Sequence, residues 1–307
     1  MNSVAEPTAV LATLARPRPR PRPSLAGVVR SELLKIRGQA LTWIVVAAFV
    51  VVSAVTLGSV VSSDQVRKLL AHDPTSFYFN YLEGVLTLFN TMSGVFLLVA
   101  SSRLVALEYS SGTIRTVLAR GTGRLQLLGA QLLALAISGL VLLAAFIAVC
   151  AATLYAIVVA WQGSFTPITS LAQVAWTDTW INLLVALVSM AICILLGTTA
   201  AVVGRSVAFG AGAALAFFPA DNFGTVVMSL VNRLTNQDVW REVTQYFLGP
   251  TLNQLAASLE TDHRVGAAFA TPLVKVDAAH CWIVIGVYAF VFLAASVLLT
   301  WRRDVLH

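Results

Sequence analysis

The stretch LLGAQLLALAISGLVLLAAFIAVCAATLYAIVV, residues 127–159, runs 33 residues without a charged side chain. A hydrocarbon core of about 30 Å needs roughly 20 such residues in a helix. In lipid a backbone segment must satisfy its own polar groups, so an open-ended run of this kind is a helix. At 1.5 Å per residue it spans about 50 Å, so its first turns project beyond the core. Five further runs cross on the same criterion. The spans are expected at 41–61, 84–102, 132–159, 181–203, 207–231 and 281–300. Six of the seven tryptophans (Trp43, Trp161, Trp176, Trp180, Trp282 and Trp301) fall at or just beyond run ends. Indole rings favour the headgroup level, which supports these limits independently of hydropathy.

Composition agrees. The chain is 58% hydrophobic and 11% charged, with mean hydropathy +0.83. Soluble domains carry about 25% charged residues, so an ordinary cytosolic enzyme and a disordered chain are both excluded. The three cysteines and four histidines form no ligand pattern. The basic excess is a matter of distribution and does not point to nucleic acid. Fourteen of the 20 Lys and Arg residues lie in segments 1–40, 103–131, 204–206 and 301–307. Positive residues stay inside, so both termini are expected in the cytoplasm. The first run is too long for a signal-peptide core and no cleavage site follows it, so it is read as retained. The fold class is an all-α integral membrane protein. Six transmembrane helices over residues 24–307 follow a disordered Arg-Pro-rich tail, residues 1–23, whose alternating prolines forbid a helix.

Three segments carry functional candidates. Residues 24–37 read as a short helix capped by Ser24. Leu25, Val29, Leu33 and Ile36 share its apolar face, and Arg30, Lys35 and Arg37 lie off it, as in a helix lying in the membrane interface. Glu32 falls on the apolar face, where it either bonds a neighbour or reaches water. Segment 103–131 continues span two to Glu108. Ser110, Ser111 and Gly112 break the helix, and Thr113 caps a new one with Ile114, Val117 and Leu118 on one face. Arg115, Arg120 and Arg124 lie elsewhere on this basic loop, and Glu108 is placed to pair with one of them, or with Arg30 or Lys35. The third segment is polar sequence inside spans. Asn90 and Thr91 either bond neighbouring helices or line a path. Asp221, following Pro219 and preceding Asn222, reads as the only carboxylate within a span. It is either a path or gate residue or a residue at the outer rim. Residues 62–83 read as an external loop with a turn at Asp73-Pro74, and residues 232–279 as an external cap of short helices.

The chain has no GxxxxGK[ST] phosphate loop, HExxH zinc site or GxSxG nucleophile elbow. No cofactor, metal or catalytic group is therefore expected in it. The stretches RSELLKIRG (30–38), LEYSSGTIRTVLARGTGRLQLLGAQLL (107–133) and WRRDV (301–305), in that order around six spans, resemble the permease subunits of type-2 ABC (ATP-binding cassette) exporters. The family's Glu, Gly-Thr and downstream basic residue map onto Glu108, Gly112-Thr113 and Arg124. The Arg-Pro tail and residues 232–279 depart from its pattern.

The resemblance implies that the loop around Gly112–Arg124 docks on an ATP-binding subunit, with Ile114, Val117 and Leu118 buried there and Arg115, Arg120 and Arg124 at the rim. It implies two ATP-binding subunits that carry the ATP and Mg, and a second permease subunit, identical or not. It also implies residence in a cell membrane, expected to be the bacterial plasma membrane, and export of an apolar or amphiphilic drug, lipid or peptide. Two other classes remain open from the residues alone. One is a membrane-embedded enzyme acting on a lipid or peptide, with Asp221 as acid or base. The other is a membrane anchor or sensor recruiting a cytoplasmic regulator.

Overall fold

A computed structural model describes residues 24–61, 63–110, 123–260 and 270–302. These residues are almost entirely helical. The long helices are α1 (Leu25–Gly38), α2 (Ala40–Val61), α4 (Pro74–Ser110), α5 (Arg124–Gln162), α7 (Gln173–Gly204), α8 (Val207–Thr235) and α11 (Ala278–Arg302). Short helices α3 (Asp64–His72), α6 (Thr166–Thr169), α9 (Val239–Val243) and α10 (Leu248–Leu259) connect them, with a 3₁₀ turn at Thr244–Tyr246. Five helices (α4, α5, α7, α8 and α11) are long and apolar enough to cross a membrane. The count reaches six if α1 and α2, bent by 59° about Gln39, form one span. The tail 1–23 and the loop positions Gly112, Thr113, Ile114, Arg115, Val117, Leu118 and Arg120 lie outside the described residues.

The helices are longer than the apolar runs within them. Asp73-Pro74 is a helix start and not a loop turn. Pro74 occupies the first helical position, where a missing N–H costs nothing, and the Asp73 carboxylate accepts the Ser76 N–H at 3.0 Å. α4 therefore begins ten residues before the expected span. α7 likewise begins at Gln173, so Glu83 and Glu108 of α4 and Asp178 of α7 join Asp221 inside helices long enough to span.

The apolar face of α1 also differs from the expected one. Val28, Val29, Glu32 and Ile36 are buried, while Leu25 is exposed. α1 packs chiefly on α5, which rotates Glu32 to the centre of its buried side.

α4 and α7 form the centre of the bundle, with α8 against both. Their contact is made by small residues. A Cβ on Gly197 would lie 2.0 Å from Ser101 Oγ and 2.8 Å from the Leu98 carbonyl oxygen. A Cβ on Gly210 of α8 would lie 3.0 Å from Ala201 Cα of α7. Small residues at such crossings let backbones approach closely, where dispersion replaces the hydrophobic drive absent in lipid. Gly212, by contrast, faces open space.

Two long helices are poorly covered. α2 leaves Val50, Val51 and Val55 exposed, and α8 leaves Phe223, Val226, Leu230 and Leu234 exposed.

Candidate functional site

The candidate residues gather at two places on opposite halves of the bundle. The first is basal, where α1, the C-terminal end of α4, the N-terminal end of α5 and the end of α11 meet. The contact between α5 and α11 there includes a hydrogen bond from Arg124 Nη1 to the Trp301 carbonyl at 3.5 Å. Lys35 Nζ donates to Glu32 Oε1 at 2.6 Å and to Glu108 Oε1 at 2.7 Å. The Glu32 and Glu108 carboxylates are 2% and 6% exposed, and the Lys35 side chain is 45% exposed. Of the partners open to Glu108 in the sequence, Lys35 is the one it takes among the described residues. This ion pair ties α1 to the last turn of α4, three residues before the 111–122 segment. Arg30 and Arg37 stand exposed beside it.

Burial pushes the Glu32 carboxyl above its ordinary range, and the Lys35 hydrogen bond and charge only partly offset that. Burial would lower Lys35, but the hydrogen bonds and charges of Glu108 and Glu32 hold it above its ordinary value. Glu32 Oε2 is buried without a partner. A carboxyl raised by folding stabilises the fold fully below 4.5, its ordinary value. That contribution is lost as pH rises through the folded pKa. Glu32→Gln is therefore expected to leave stability at pH 7 unchanged or slightly raised. It should also flatten the decline in thermal midpoint as pH rises from about 4.5 towards neutral. A pH series of melting curves on the purified protein checks this, and an unchanged slope would refute it.

The second place is a cavity of about 460 Å³ bounded by α4, α7, α8 and α10. It brings together four of the five residues proposed for a path: Asn90, Thr91, Pro219 and Asn222. On α4 the positions Glu83, Thr87, Asn90, Thr91 and Gly94 recur every three to four residues and so form one face. On α7 the polar lining is Asn182 and Ser189. The Asn222 side chain donates to the Phe218 carbonyl at 2.8 Å and accepts from Asn253 Nδ2 at 3.3 Å. Asn90 Oδ1 is buried without a hydrogen-bond partner.

Asp221 is not on this lining. Its carboxylate accepts the Gly249 N–H at the start of α10. The residue preceding α10, Phe247, offers no side-chain cap. The first N–H groups of a helix need an acceptor, and the helix dipole favours a negative charge there. Asp221 is thus a cap supplied from another helix, and Gly249 makes the approach feasible. A Cβ on Gly249 would lie 2.9 Å from Asn222 Nδ2 and 3.2 Å from Asp221 Oδ2.

Glu83, Asn182, Ser189 and Asn253 belong to the cavity but were not singled out from the sequence. The α4 face had a signal in the spacing 83, 87, 90, 94. The contribution of α10 had none, since only the packing of Leu248, Leu252 and Leu255 against α7 and α11 brings it into the bundle. Asn182 also donates from Nδ2 to the Asp178 carbonyl at 2.9 Å and to Glu260 Oε1 at 2.6 Å, joining α7 to the end of α10. No group of His, Cys, Asp and Glu suited to a metal ion occurs among the described residues.

Residues 28–219 match the family described as ABC-2 family transporter protein. No curated protein and no solved structure matches the chain. The matched region holds Lys35, Glu108 and the α4 and α7 walls of the cavity, and ends within α8 at Pro219. Because that match covers more than half of the chain, this multi-pass helical protein belongs to the ABC-2 transporter family.

Proposed function

We propose that the chain is the permease subunit of an ATP-driven exporter that moves an apolar or amphiphilic substrate through the α4–α7–α8 cavity. The observation that carries this reading is the cavity itself. It is mainly apolar, with a few polar groups and one carboxylate, Glu83, as in sites for small amphiphilic ligands. It lies on membrane-spanning helices of a family transporter. ATP and Mg bind on a separate subunit, present in two copies, since this chain has no phosphate loop. Loop 111–122 docks on that subunit, with Ile114, Val117 and Leu118 as its apolar contact. The Lys35–Glu108 pair then carries loop movement into α1 and α4. The exposed apolar faces of α2 and α8 suit a second permease subunit and lipid. Both termini lie on the cytoplasmic side of a bacterial plasma membrane, by the distribution of basic residues. Capping of α10 occupies the Asp221 carboxylate, the acid or base on which the embedded-enzyme reading rested.

The test is isolation of the tagged protein from its own membranes in mild detergent. An ATP-binding-cassette subunit should accompany it in stoichiometric amount. Ile114→Asp with Val117→Asp should reduce that recovery at least tenfold while the permease itself stays monodisperse. Absence of any such subunit, in detergent and after crosslinking in the membrane, would refute the proposal.

A further inference from the structure

The cavity has a chemical polarity that bears on its cargo. Its α4 wall runs from Glu83 to Leu98, fifteen residues or about 22 Å along the helix axis. Glu83 stands at the end remote from Lys35, and Leu98, with Leu215 of α8, at the deeper apolar end. Glu83 is the single charged residue on the described lining, which includes no Lys, Arg or His. Among the described residues its carboxylate forms no ion pair or hydrogen bond, and it is only half-buried. Two turns deeper on the same face is Asn90, whose Oδ1 is buried without a donor. The carboxylate of Glu83 is therefore the one acceptor on this face that is both charged and open to the cavity.

A cation near a half-buried carboxylate is attracted, while an anion there meets repulsion with no countercharge. We infer that the cavity selects amphiphiles bearing a protonated amine. The ammonium lies at Glu83, and the apolar body lies against Leu98, Leu215 and Phe218. The inference rests on the proposal that this cavity receives the cargo. It adds the charge of the headgroup and the direction of insertion, neither of which the family match specifies.

Three fluorescent probes of matched length separate the alternatives: dansylcadaverine, its N-acetylated neutral form, and 6-(dansylamino)hexanoate. Each is titrated onto the purified full-length protein in neutral-lipid nanodiscs, with empty discs subtracted. Dansylcadaverine should bind saturably, and the neutral and anionic probes at least tenfold more weakly. Glu83→Gln should remove most of the preference for the amine. Gly94→Phe should block binding, because Gly94 lines the cavity and a Cβ there meets only Cys193 Sγ, at 3.6 Å. Equal affinity for all three probes would overturn the inference. So would a preference that survives Glu83→Gln, absence of saturable binding, or binding untouched by Gly94→Phe in a variant that remains monodisperse. Failure of the exporter reading is seen separately, in the isolation of the ATP-binding subunit, which none of these titrations involves.

Discussion

Lys35→Met should be among the most damaging single substitutions in the described structure. It removes the cation between two carboxylates that are 2% and 6% exposed. Breaking a buried pair by deleting one partner costs about 3–5 kcal/mol, because the remaining charge stays desolvated. Here two like charges remain and repel each other. The ammonium it removes is 45% exposed, which places the loss towards the low end of that range. Against a total stability of about 5–15 kcal/mol this is a large fraction.

The expected result is a lower thermal midpoint at pH 7, with recovery as the pH is lowered. Without Lys35 the Glu32 carboxyl holds its proton more tightly in the folded state, so the fold gains on acidification and loses as pH rises. Adding Glu32→Gln and Glu108→Gln to Lys35→Met should restore most of the loss at pH 7 by removing both stranded charges. If the triple variant is no more stable than the single one, the ion cluster is not the cause. The wild-type protein and Glu108→Gln also separate stability from coupling. Loss of the α1–α4 tie in a folded protein should lower the transport-dependent ATPase rate of the complex more than its assembly.

Gly197→Leu should have an effect of similar size by a different route. The α4–α7 crossing has no room for a side chain at this position. A Cβ alone would overlap Ser101 Oγ and press on the Leu98 carbonyl, which is backbone and cannot swing aside. Overpacking of a close crossing costs about 1–3 kcal/mol, and occasionally more. Leucine adds three further carbons to that overlap. The two helices at the centre of the bundle would have to separate, and the cavity they bound would change with them. The expected outcome is loss of a monodisperse peak in size-exclusion chromatography and of detectable transport. Gly197→Ala should be milder, with Ser101→Ala relieving part of its cost, since the Oγ contact disappears while the Leu98 contact remains. A fully stable Gly197→Leu protein would contradict the packing described here.

Membrane insertion and helix class were readable from the chain because they depend on local composition. A run such as 127–159 offers no other way to satisfy its backbone in lipid, whatever surrounds it. The Ser24 cap of α1, whose side chain accepts the Gly27 N–H, followed from local preferences in the same way. Helix limits at polar ends did not, since turns such as 74–83 and 173–180 are too polar to signal a span. They are helical because capping and neighbouring helices satisfy them.

The candidate residues divided along the same line. Glu108 could be named from its position before the loop, but its pairing with Lys35 depended on the rotation of α1 against α5. Asn90, Thr91 and Asn222 were visible as polar residues in apolar runs, and whether they packed or lined a space was not. The spacing of residues along one helix gives a face but not what that face meets. Asp221 shows the limit most clearly. Its sequence setting suited a gate, yet its carboxylate serves the N-terminus of α10, 28 residues further along the chain. The sequence alone determined a helical membrane protein with a basic loop between its second and third spans. Tertiary packing alone decided which acid met which base, which polar residues faced one cavity, and how α10 came to close it. Those outcomes depend on distances between segments, and local sequence does not encode them one segment at a time.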